Sequence, residues 1–169
     1  PHSAHGRLVA VASRGAPAAP PAPEFAGANL IHGYDALLAD PEVDAVYVAT
    51  LHPDHARWIA RAAAAGKHVL CEKPLAMTAA EAEGAIAAAA RAGVFLMEGF
   101  AFRVHPLTQR LIELLRARTI GDVRMLQATF GYVKPYDPAS RYFAGPLGGG
   151  AILDVRSEEH TSELQSRLH

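Results

Sequence analysis

A Glu-Lys-Pro run at residues 72–74 is the stretch of this 169-residue chain best suited to chemistry. It follows the apolar letters HVLC, so a carboxylate and an ammonium would stand together where a buried strand ends. Pro74 has no amide proton and fixes the turn, and the peptide bond before a proline can be cis. A strand followed by a solvated, charged turn would have the same letters, so the tripeptide alone leaves both interpretations open.

A second candidate lies near the end of the chain, where three glycines at 148–150 precede the letters AILD. This glycine-rich, apolar stretch is typical of a strand that enters an active site, and it would position the carboxylate of Asp154. The alternative is an aspartate that caps a turn after the glycines.

The elements that must position these side chains alternate between strands and helices. Strands are predicted at 7–14, 44–50, 68–73 and 94–100, and helices are predicted to begin near Tyr34, Pro53, Thr78 and Pro106. Thr78 and Glu81 have the spacing of a capping box, and Gly93 would end that helix. Residues 16–27, rich in Pro and Ala, predict a loop. The alternation breaks after Gly121, where residues 123–132 predict a longer β-rich segment.

Near-continuous apolar strands that alternate with helices indicate an α/β fold, with a parallel sheet covered on both faces. In such sheets, ligands bind beyond the carboxyl ends of the strands, near the switch in strand order. The rule selects the residues that follow the predicted strands, namely Ser13 and Arg14, Thr50 to His52, Glu72 to Pro74, and Glu98 to Phe100.

Composition and charge argue against several classes of partner. The formal net charge is −1, so nothing suggests nucleic acid or an anionic membrane surface. No apolar run approaches the ~20 residues that span a bilayer. The single cysteine, Cys71, excludes an internal disulfide framework and suits a reducing compartment, so a cytoplasmic location is expected. Because the chain begins with Pro1, a targeting segment upstream stays open.

The letters AGKHVLCEKPLAMT, preceded by DPEVDAVYVATLHPDH and followed by GGGAILD, resemble the Gfo/Idh/MocA family of nicotinamide-dependent oxidoreductases. The runs FLMEGFAFRVHP and IGDVRMLQATFG extend the likeness over residues 5–155. Within the family, the chain is similar to the branch of dihydrodiol dehydrogenases, xylose-type sugar dehydrogenases and glucose-fructose oxidoreductases. The resemblance implies an incomplete Rossmann domain, a doubly wound parallel sheet, at 1–121. The start of an α+β C-terminal domain with a mainly antiparallel sheet would follow at 122–155.

The resemblance also implies roles for individual residues. Lys73 would lie beside the nicotinamide and the reacting carbon, where a compact ammonium stabilises a developing alkoxide. Asp154 would orient Lys73 or the substrate, and Glu72 would face the ribose of the cofactor. His105 resembles a pocket-lining position, although an N-cap role before a proline is equally open. The other cofactor contacts implied are Thr50, Leu51, His52, His55, Lys73, Pro74 and Arg103, and no metal ion is expected.

Ser13 and Arg14 bear on the choice of cofactor. An acidic residue at this strand end accepts from the ribose 2′-hydroxyl of NAD, whereas an arginine pairs with the 2′-phosphate of NADP. The strand ends in Ala-Ser-Arg and offers no acid, so NADP is favoured over NAD. An arginine that merely faces solvent is the alternative interpretation.

Both ends of the chain raise an expectation. The fingerprint G-x-G-x-x-G, which holds a dinucleotide pyrophosphate, does not occur in the sequence. The chain is therefore expected to begin after the first strand of its domain and to bind dinucleotide poorly. Residues 156–166 are the codon-by-codon translation of a common sequencing adapter, so 156–169 are expected to be an artefact. The family normally has Tyr or His four residues after the aspartate, and Glu158, which stands there, receives no role.

These observations together predict part of an oxidoreductase that uses NADP and transfers hydride between nicotinamide and a sugar or vicinal diol. The segment is expected to be inactive by itself, and the full-length protein to form homo-oligomers that act on a small molecule. A non-catalytic dinucleotide-binding regulatory or assembly module on the same fold is the first alternative. A nicotinamide-dependent glycosidase or lyase without net redox change is the second.

Overall fold

The computed structural model describes residues 5–15, 23–125, 127 and 131–154. Short strands and helices alternate along most of this length. The strands are β1 (Ala10–Ser13), β2 (Asn29–His32), β3 (Ala45–Val48), β4 (His68–Cys71) and β5 (Leu96–Glu98). The helices are α1 (Tyr34–Ala39), α2 (His55–Ala64), α3 (Ala79–Ala92), α4 (Pro106–Arg116) and α5 (Ala151–Asp154). Single 3-10 turns cover Pro23–Phe25, His52–Asp54, Ala101–Val104 and Gly145–Leu147.

Every pair of neighbouring strands is parallel. β1 pairs with β2, and β4 lies between β3 and β5. The register places Val48 beside Cys71 and Cys71 beside Glu98, so three strands end at one edge of their sheet. α2 connects β3 with β4 and α3 connects β4 with β5, which is the crossover that parallel strands require. The predicted parallel α/β fold is confirmed.

The sequence-based prediction missed β2. Its four residues, Asn29–His32, mix polar and apolar side chains, and Leu30 is 45% exposed. Only backbone pairing with β1 makes this segment a strand, beginning where Ala10 lies beside Asn29. No local apolar pattern marks it, because an edge strand needs little burial.

One face of the sheet formed by β3, β4 and β5 carries the core. α2 packs on β3 and β4 and buries Ile59 and Ala62 completely, while α3 packs on α2. Because side chains alternate along a strand, Val69 points into this core, whereas Tyr47 and Leu70 point to the other face. Tyr47 is 59% exposed and Leu70 is 40% exposed. In the described part of the chain, the expected helical cover is therefore present on one face of this sheet only.

β1 and β3 do not pair with each other within the described residues. A cavity of about 450 Å³ lies between them, lined mainly by apolar side chains of the two strands, α1 and α2. The two parallel sheets are therefore joined by side-chain packing around α1 and α2 and not by a continuous hydrogen-bond ladder.

The predicted helix signals are confirmed. Thr78 Oγ1 accepts from the amide of Glu81 at 3.2 Å, and the Glu81 carboxylate accepts from the amide of Thr78 at 3.2 Å, which completes a capping box. Gly93, with φ of 67°, ends α3 in the left-handed region that glycine adopts readily. His105 Nδ1 accepts from the amide of Leu107 at 3.1 Å, so His105 caps α4.

Two strand predictions after Gly121 differ from the structure. None of the described residues between 123 and 132 lies in a strand, and residues 126 and 128–130 lie outside the described residues. The stretch 148–155 was expected to be a strand, but Ala151–Asp154 form the short helix α5. Gly148, with φ of 78°, and Gly150, with φ of 110°, turn the backbone out of the extended region just before α5. The antiparallel sheet and the boundary at 121 stay predictions, and residues 155–169 lie outside the described residues.

Candidate active site

A cavity of about 590 Å³ opens at the carboxyl ends of β1, β3 and β4. This is where parallel α/β sheets bind ligands. Of the site residues predicted from the sequence, eight line the cavity. They are Arg14, Thr50, Leu51, His52, His55, Glu72, Lys73 and Asp154. The fold therefore brings together side chains from the first strand, two middle strands and the last described helix.

Lys73 and Asp154 form an ion pair in this cavity. Lys73 Nζ lies 3.5 Å from Asp154 Oδ1, and it also donates to the main-chain oxygen of Asp154. The two side chains are 13% and 12% exposed. The interpretation of Glu72 to Pro74 as a solvated surface turn therefore fails for Lys73. A largely buried ammonium at the wall of an open cavity can donate to an oxygen atom of a bound molecule.

Burial and hydrogen bonding act in opposite directions on the carboxyl group of Asp154. Burial alone would raise its pKa, but a hydrogen bond donated by the Tyr132 hydroxyl and the charges of Lys73 and Arg141 lower the pKa below its usual value. The same hydrogen bond, followed by burial, raises the pKa of Tyr132 to about 12. At neutral pH Asp154 is therefore ionised and Tyr132 is protonated, which is the arrangement that this hydrogen bond requires.

His55 ties together the two turns that carry most of the cavity wall. Its side chain is fully buried at the start of α2. Nδ1 lies 2.7 Å from the carbonyl oxygen of Pro74, and Nε2 lies 3.1 Å from the carbonyl oxygen of Thr50. The peptide bond between Lys73 and Pro74 is cis. His55 thus holds the turn after β3 against the turn after β4.

His52 lies next to His55, with 5.7 Å between the ring centroids, and is 6% exposed. Burial, followed by the nearby His55 and Arg141, lowers the pKa of His52, so the ring is neutral at pH 7. Within the described chain its Nδ1 has no hydrogen-bond partner. A Cβ at Gly148 would lie 2.9 Å from this atom, so only glycine fits there. Gly148 thus packs closely against this buried nitrogen, while the His52 side chain forms part of the cavity wall.

Glu72 and Arg14 occupy the cavity wall in different ways. The hydroxyl of Tyr47 donates to the carboxylate of Glu72. Burial, followed by this hydrogen bond, raises the pKa of Tyr47 to about 12. Arg14 follows β1 directly, is exposed, and forms no ion pair with any described residue. Its guanidinium can therefore bind an anion without first losing a carboxylate.

Three predicted cofactor contacts do not line the cavity. The hydroxyl of Ser13 donates to the carbonyl oxygen of Gly15. Pro74 contributes its carbonyl oxygen to His55 and no surface to the cavity. Arg103 lies in the turn Ala101–Val104, and its carbonyl oxygen accepts from the side chain of Gln109. Cofactor binding by these three residues stays a prediction.

Sequence reasoning missed a group of lining residues that come mainly from segment 131–150. The β-rich segment predicted at 123–132 overlaps the start of this segment, and a strand pattern does not indicate which side chains reach a cavity. The sequence does contain a pattern typical of a binding surface. The run YVKPYDPASRYF combines four aromatic residues with two cations shortly before the three glycines at 148–150. The missed lining residues are Tyr34, Ala49, Asp54, Tyr132, Arg141, Tyr142 and Leu147.

In the described part of the chain, no helix is long and apolar enough to cross a membrane. No three His, Cys, Asp or Glu side chains of these described residues converge as metal ligands. Cys71 is fully buried in β4, and burial raises the pKa of its thiol to about 12, so the thiol is unreactive at neutral pH.

Comparisons with known proteins match this chain to one family of oxidoreductases. Residues 1–100 match the Gfo/Idh/MocA family, described as an oxidoreductase family with an NAD-binding Rossmann fold. Trans-1,2-dihydrobenzene-1,2-diol dehydrogenase of Xenopus laevis is 43% identical over 122 residues, which is 72% of this chain and 36% of that protein. dTDP-3,4-didehydro-2,6-dideoxy-alpha-D-glucose 3-reductase of Actinomadura kijaniata is 40% identical over 148 residues, which is 88% of this chain and 44% of that protein.

Two solved structures resemble the chain over most of its described length. A 3-ketoreductase from Actinomadura kijaniata, solved with NADP and TDP-benzene, has a TM-score of 0.74 at 37% identity, over 88% of this chain and 45% of that chain. Aldose-aldose oxidoreductase from Caulobacter crescentus, solved with glycerol, has a TM-score of 0.67 at 31% identity, over 88% and 46%. This chain spans less than half the length of each of these relatives. The chain belongs to the Gfo/Idh/MocA family of oxidoreductases, which has an NAD-binding Rossmann fold.

Proposed function

We propose that this chain carries the cofactor-facing part of an NADP-dependent oxidoreductase. The reaction is hydride transfer between the nicotinamide and a hydroxyl-bearing or carbonyl carbon of a sugar or vicinal diol. The observation that carries the proposal is the ion pair of Lys73 and Asp154, largely buried at the carboxyl ends of the strands. Dinucleotide binding alone does not need such a cation, whereas charge that develops on a substrate oxygen does.

The names of similar proteins support this class of substrate. One relative is named a diol dehydrogenase, one a dTDP-sugar 3-reductase, and one solved structure is that of an aldose-aldose oxidoreductase. These substrates share a carbon that bears a hydroxyl or carbonyl oxygen, flanked by further hydroxyl groups. A cavity wall with both a donor, Lys73, and an acceptor, Glu72, suits such molecules.

The donor set of the cavity fits NADP. Arg14 offers a guanidinium for the 2′-phosphate, and no carboxylate of the described chain competes for it. Glu72, in the same cavity wall, would accept from a ribose hydroxyl. NAD lacks the phosphate and would leave Arg14 unpaired. When bound, the nicotinamide supplies the hydride chemistry, and the protein supplies orientation and charge.

The protein's own part in the reaction follows from three connected side chains. Lys73 would donate a hydrogen bond to the substrate oxygen, and its charge would stabilise the alkoxide that develops there. Asp154 holds the ammonium through Oδ1 and its main-chain oxygen, and Tyr132 holds the carboxylate of Asp154. Because Lys73 and Asp154 are largely buried, water screens these charges less than it would at the surface.

The proposal includes the organisation of the full-length protein, which would work in the cytoplasm. Residues 122–154 would begin the substrate-binding and dimerisation domain, and the full-length protein would be a homo-oligomer. Light scattering coupled to size-exclusion chromatography of an extended chain tests the oligomeric state.

The activity is tested by following NADP⁺ reduction across a panel of aldoses and diols. Two proteins are compared, the 169-residue chain and a chain extended on both sides with the sequence that flanks it in the source DNA. We expect turnover by the extended chain and little by the 169 residues, which contain no glycine-rich loop to hold the pyrophosphate. Robust turnover by the 169-residue chain would contradict the expectation of an inactive segment.

Two variants of the extended chain test the role of Lys73. Lys73→Met removes the charge at similar length, and Lys73→Arg keeps the charge but replaces a compact ammonium by a planar group. We expect kcat to fall at least about 100-fold in Lys73→Met, while NADPH binding, measured by fluorescence titration, is retained. Arg91→Gln, which removes an exposed charge at the end of α3, is the control. Cofactor binding without turnover of any substrate would instead favour the regulatory module.

A further inference from the structure

Two cations lie over the ring of Tyr142, which lines the same cavity as Lys73 and Asp154. Arg141 Cζ lies 4.4 Å and Lys134 Nζ lies 4.6 Å from the centroid of the Tyr142 ring. Arg141 Nη2 also donates to the hydroxyl oxygen of Tyr142 at 2.9 Å. We call Lys134, Arg141 and Tyr142 the basic cluster. Its tyrosine packs edge-on against Tyr132, with 6.3 Å between the ring centroids.

The basic cluster has no carboxylate of its own. Neither Arg141 nor Lys134 forms an ion pair with any residue that the structure describes. The carboxylate of Asp154 is already bound by Lys73 and Tyr132. Asp137, in the same segment, accepts instead from the amide of Ala139. Both positive charges lie over one ring without a paired carboxylate among the described residues, so an anion bound at Arg141 would be attracted by both.

Two members of the basic cluster, Arg141 and Tyr142, line the cavity of the candidate site. Arg141 lines the cavity with Lys73 and Asp154. Burial and other neighbouring side chains have larger effects, but the positive charge of Arg141 also lowers the pKa of Asp154 and the pKa of His52. Arg14 lines the same cavity from the end of β1, whereas Arg141 comes from the segment that leads to Asp154. The cavity therefore has two guanidinium groups, one from each of these segments.

We propose that the basic cluster binds an anionic group, a phosphate or a carboxylate, on the substrate. This inference rests on the proposed function and narrows its substrates to sugars that carry such a group. The planar fork of Arg141 matches two oxygens of a phosphate or carboxylate, and Lys134 adds a point charge. The hydrogen bond and ring contact with Tyr142 hold the guanidinium in place, which reduces the entropy lost on binding.

The test measures binding, so it needs no turnover. The 169-residue chain is titrated by calorimetry with glucose, glucose 1-phosphate and glucuronate. We expect one or both anionic probes to bind at least about tenfold more tightly than glucose, because a charge-assisted hydrogen bond contributes that much. The preference should shrink as ionic strength rises, since Arg141 is exposed. Comparison of glucose 1-phosphate with glucuronate shows which anionic group the basic cluster favours.

Single substitutions assign the preference to its residues, with circular dichroism as the check that each variant is folded. Arg141→Gln is expected to abolish the preference for the anionic probes over glucose, and Lys134→Gln is expected to weaken this preference by a smaller factor. Arg91→Gln is the matched control, because this arginine is exposed on α3 and lines no part of the cavity.

Several outcomes would overturn the inference. They are equal binding of the three probes, binding of none of them, and a preference that survives in Arg141→Gln. Loss of the preference in Arg14→Gln instead would assign the anion to the cofactor end of the cavity and would equally overturn it. None of these results depends on NADP⁺ reduction, so the inference and the proposed function fail separately.

Discussion

Asp154 illustrates how a single carboxyl group depends on residues far from it in the chain. Lys73, which it pairs with, follows β4, and Tyr132, which donates to it, lies in a segment without regular structure. The sequence alone identified Lys73 and Asp154, because a charged pair after a strand and an aspartate after glycines are local patterns. It did not identify Tyr132 or Arg141, because nothing in their neighbours along the chain indicates which way these side chains point.

Replacement of Tyr132 by phenylalanine tests this arrangement. The hydrogen bond from Tyr132 lowers the pKa of Asp154, so Tyr132→Phe should raise that pKa and move the acid limb of the kcat/KM profile to higher pH. We expect kcat of the extended chain to fall about tenfold, the effect of one hydrogen bond to a charged group. Tyr136→Phe is the matched control, because Tyr136 is 77% exposed and lines no part of the cavity. An unchanged pH profile in Tyr132→Phe would contradict the assignment.

The lowered pKa of His52 predicts how the free energy of unfolding depends on pH. Burial lowers its pKa in the folded chain below the ordinary value of 6.5, so the unfolded chain takes up a proton first as the pH falls. The free energy of unfolding should therefore decrease from about pH 6.5 downward, until the pH passes the folded-state pKa of His52. His52→Gln should flatten this part of the curve, measured by urea unfolding at a series of pH values. His32→Gln, on exposed β2, should leave the slope unchanged, and an equal slope in all three proteins would contradict the prediction.

At the level of elements, local signals determined the helices better than the strands. α3 was predictable because its capping box and its terminal glycine are contacts between residues close in sequence. β2 was missed because only pairing with β1 makes it a strand. α5 was expected to be extended, but the positive φ angles of Gly148 and Gly150 redirect the chain, and apolar letters do not report such angles.

Two substitutions in α3 should change stability in opposite directions. Thr78→Ala removes the cap and should lower the free energy of unfolding by about 1 kcal/mol. Gly84→Ala should raise it by about 0.5–1 kcal/mol, because a Cβ there meets nothing within 4 Å and alanine favours the helix. Urea unfolding followed by circular dichroism measures both. A loss of stability in Gly84→Ala would show that the helix is packed more tightly at this position than its open surroundings indicate.

At the level of the whole molecule, an apolar cavity lies between the two parallel sheets. The candidate active site lies at the carboxyl ends of strands from both sheets. Residues of α2 and of segment 131–150 line this site together with the residues that follow the strands. The chain spans less than half the length of its relatives, so activity and assembly are proposals for a longer protein. The expectation that 156–169 are an artefact stays a prediction, which the source DNA beyond the codon for residue 155 tests.

We expect the affinity for NADPH to differ between the 169-residue chain and the chain extended on both sides. NADPH should bind the 169-residue chain at least about tenfold more weakly than the extended chain, because the 169 residues contain no G-x-G-x-x-G fingerprint, whose amides bind a pyrophosphate. Fluorescence titration measures both affinities. Arg14→Gln in the extended chain should weaken NADPH and spare NADH. Equal NADPH affinity of the two chains would contradict this prediction.

The sequence by itself determined the parallel α/β fold, the main helices with their caps, the family, and Lys73 and Asp154 as candidate site residues. These features depend on short-range patterns, because caps, periodicity and motifs join residues within a few positions of one another. The tertiary structure alone decided that β2 pairs with β1, that His55 joins the turns after β3 and β4, and that Tyr132 and Arg141 face Asp154. These contacts join distant segments, and their geometry follows from how helices and sheets pack together, which no local run of residues specifies.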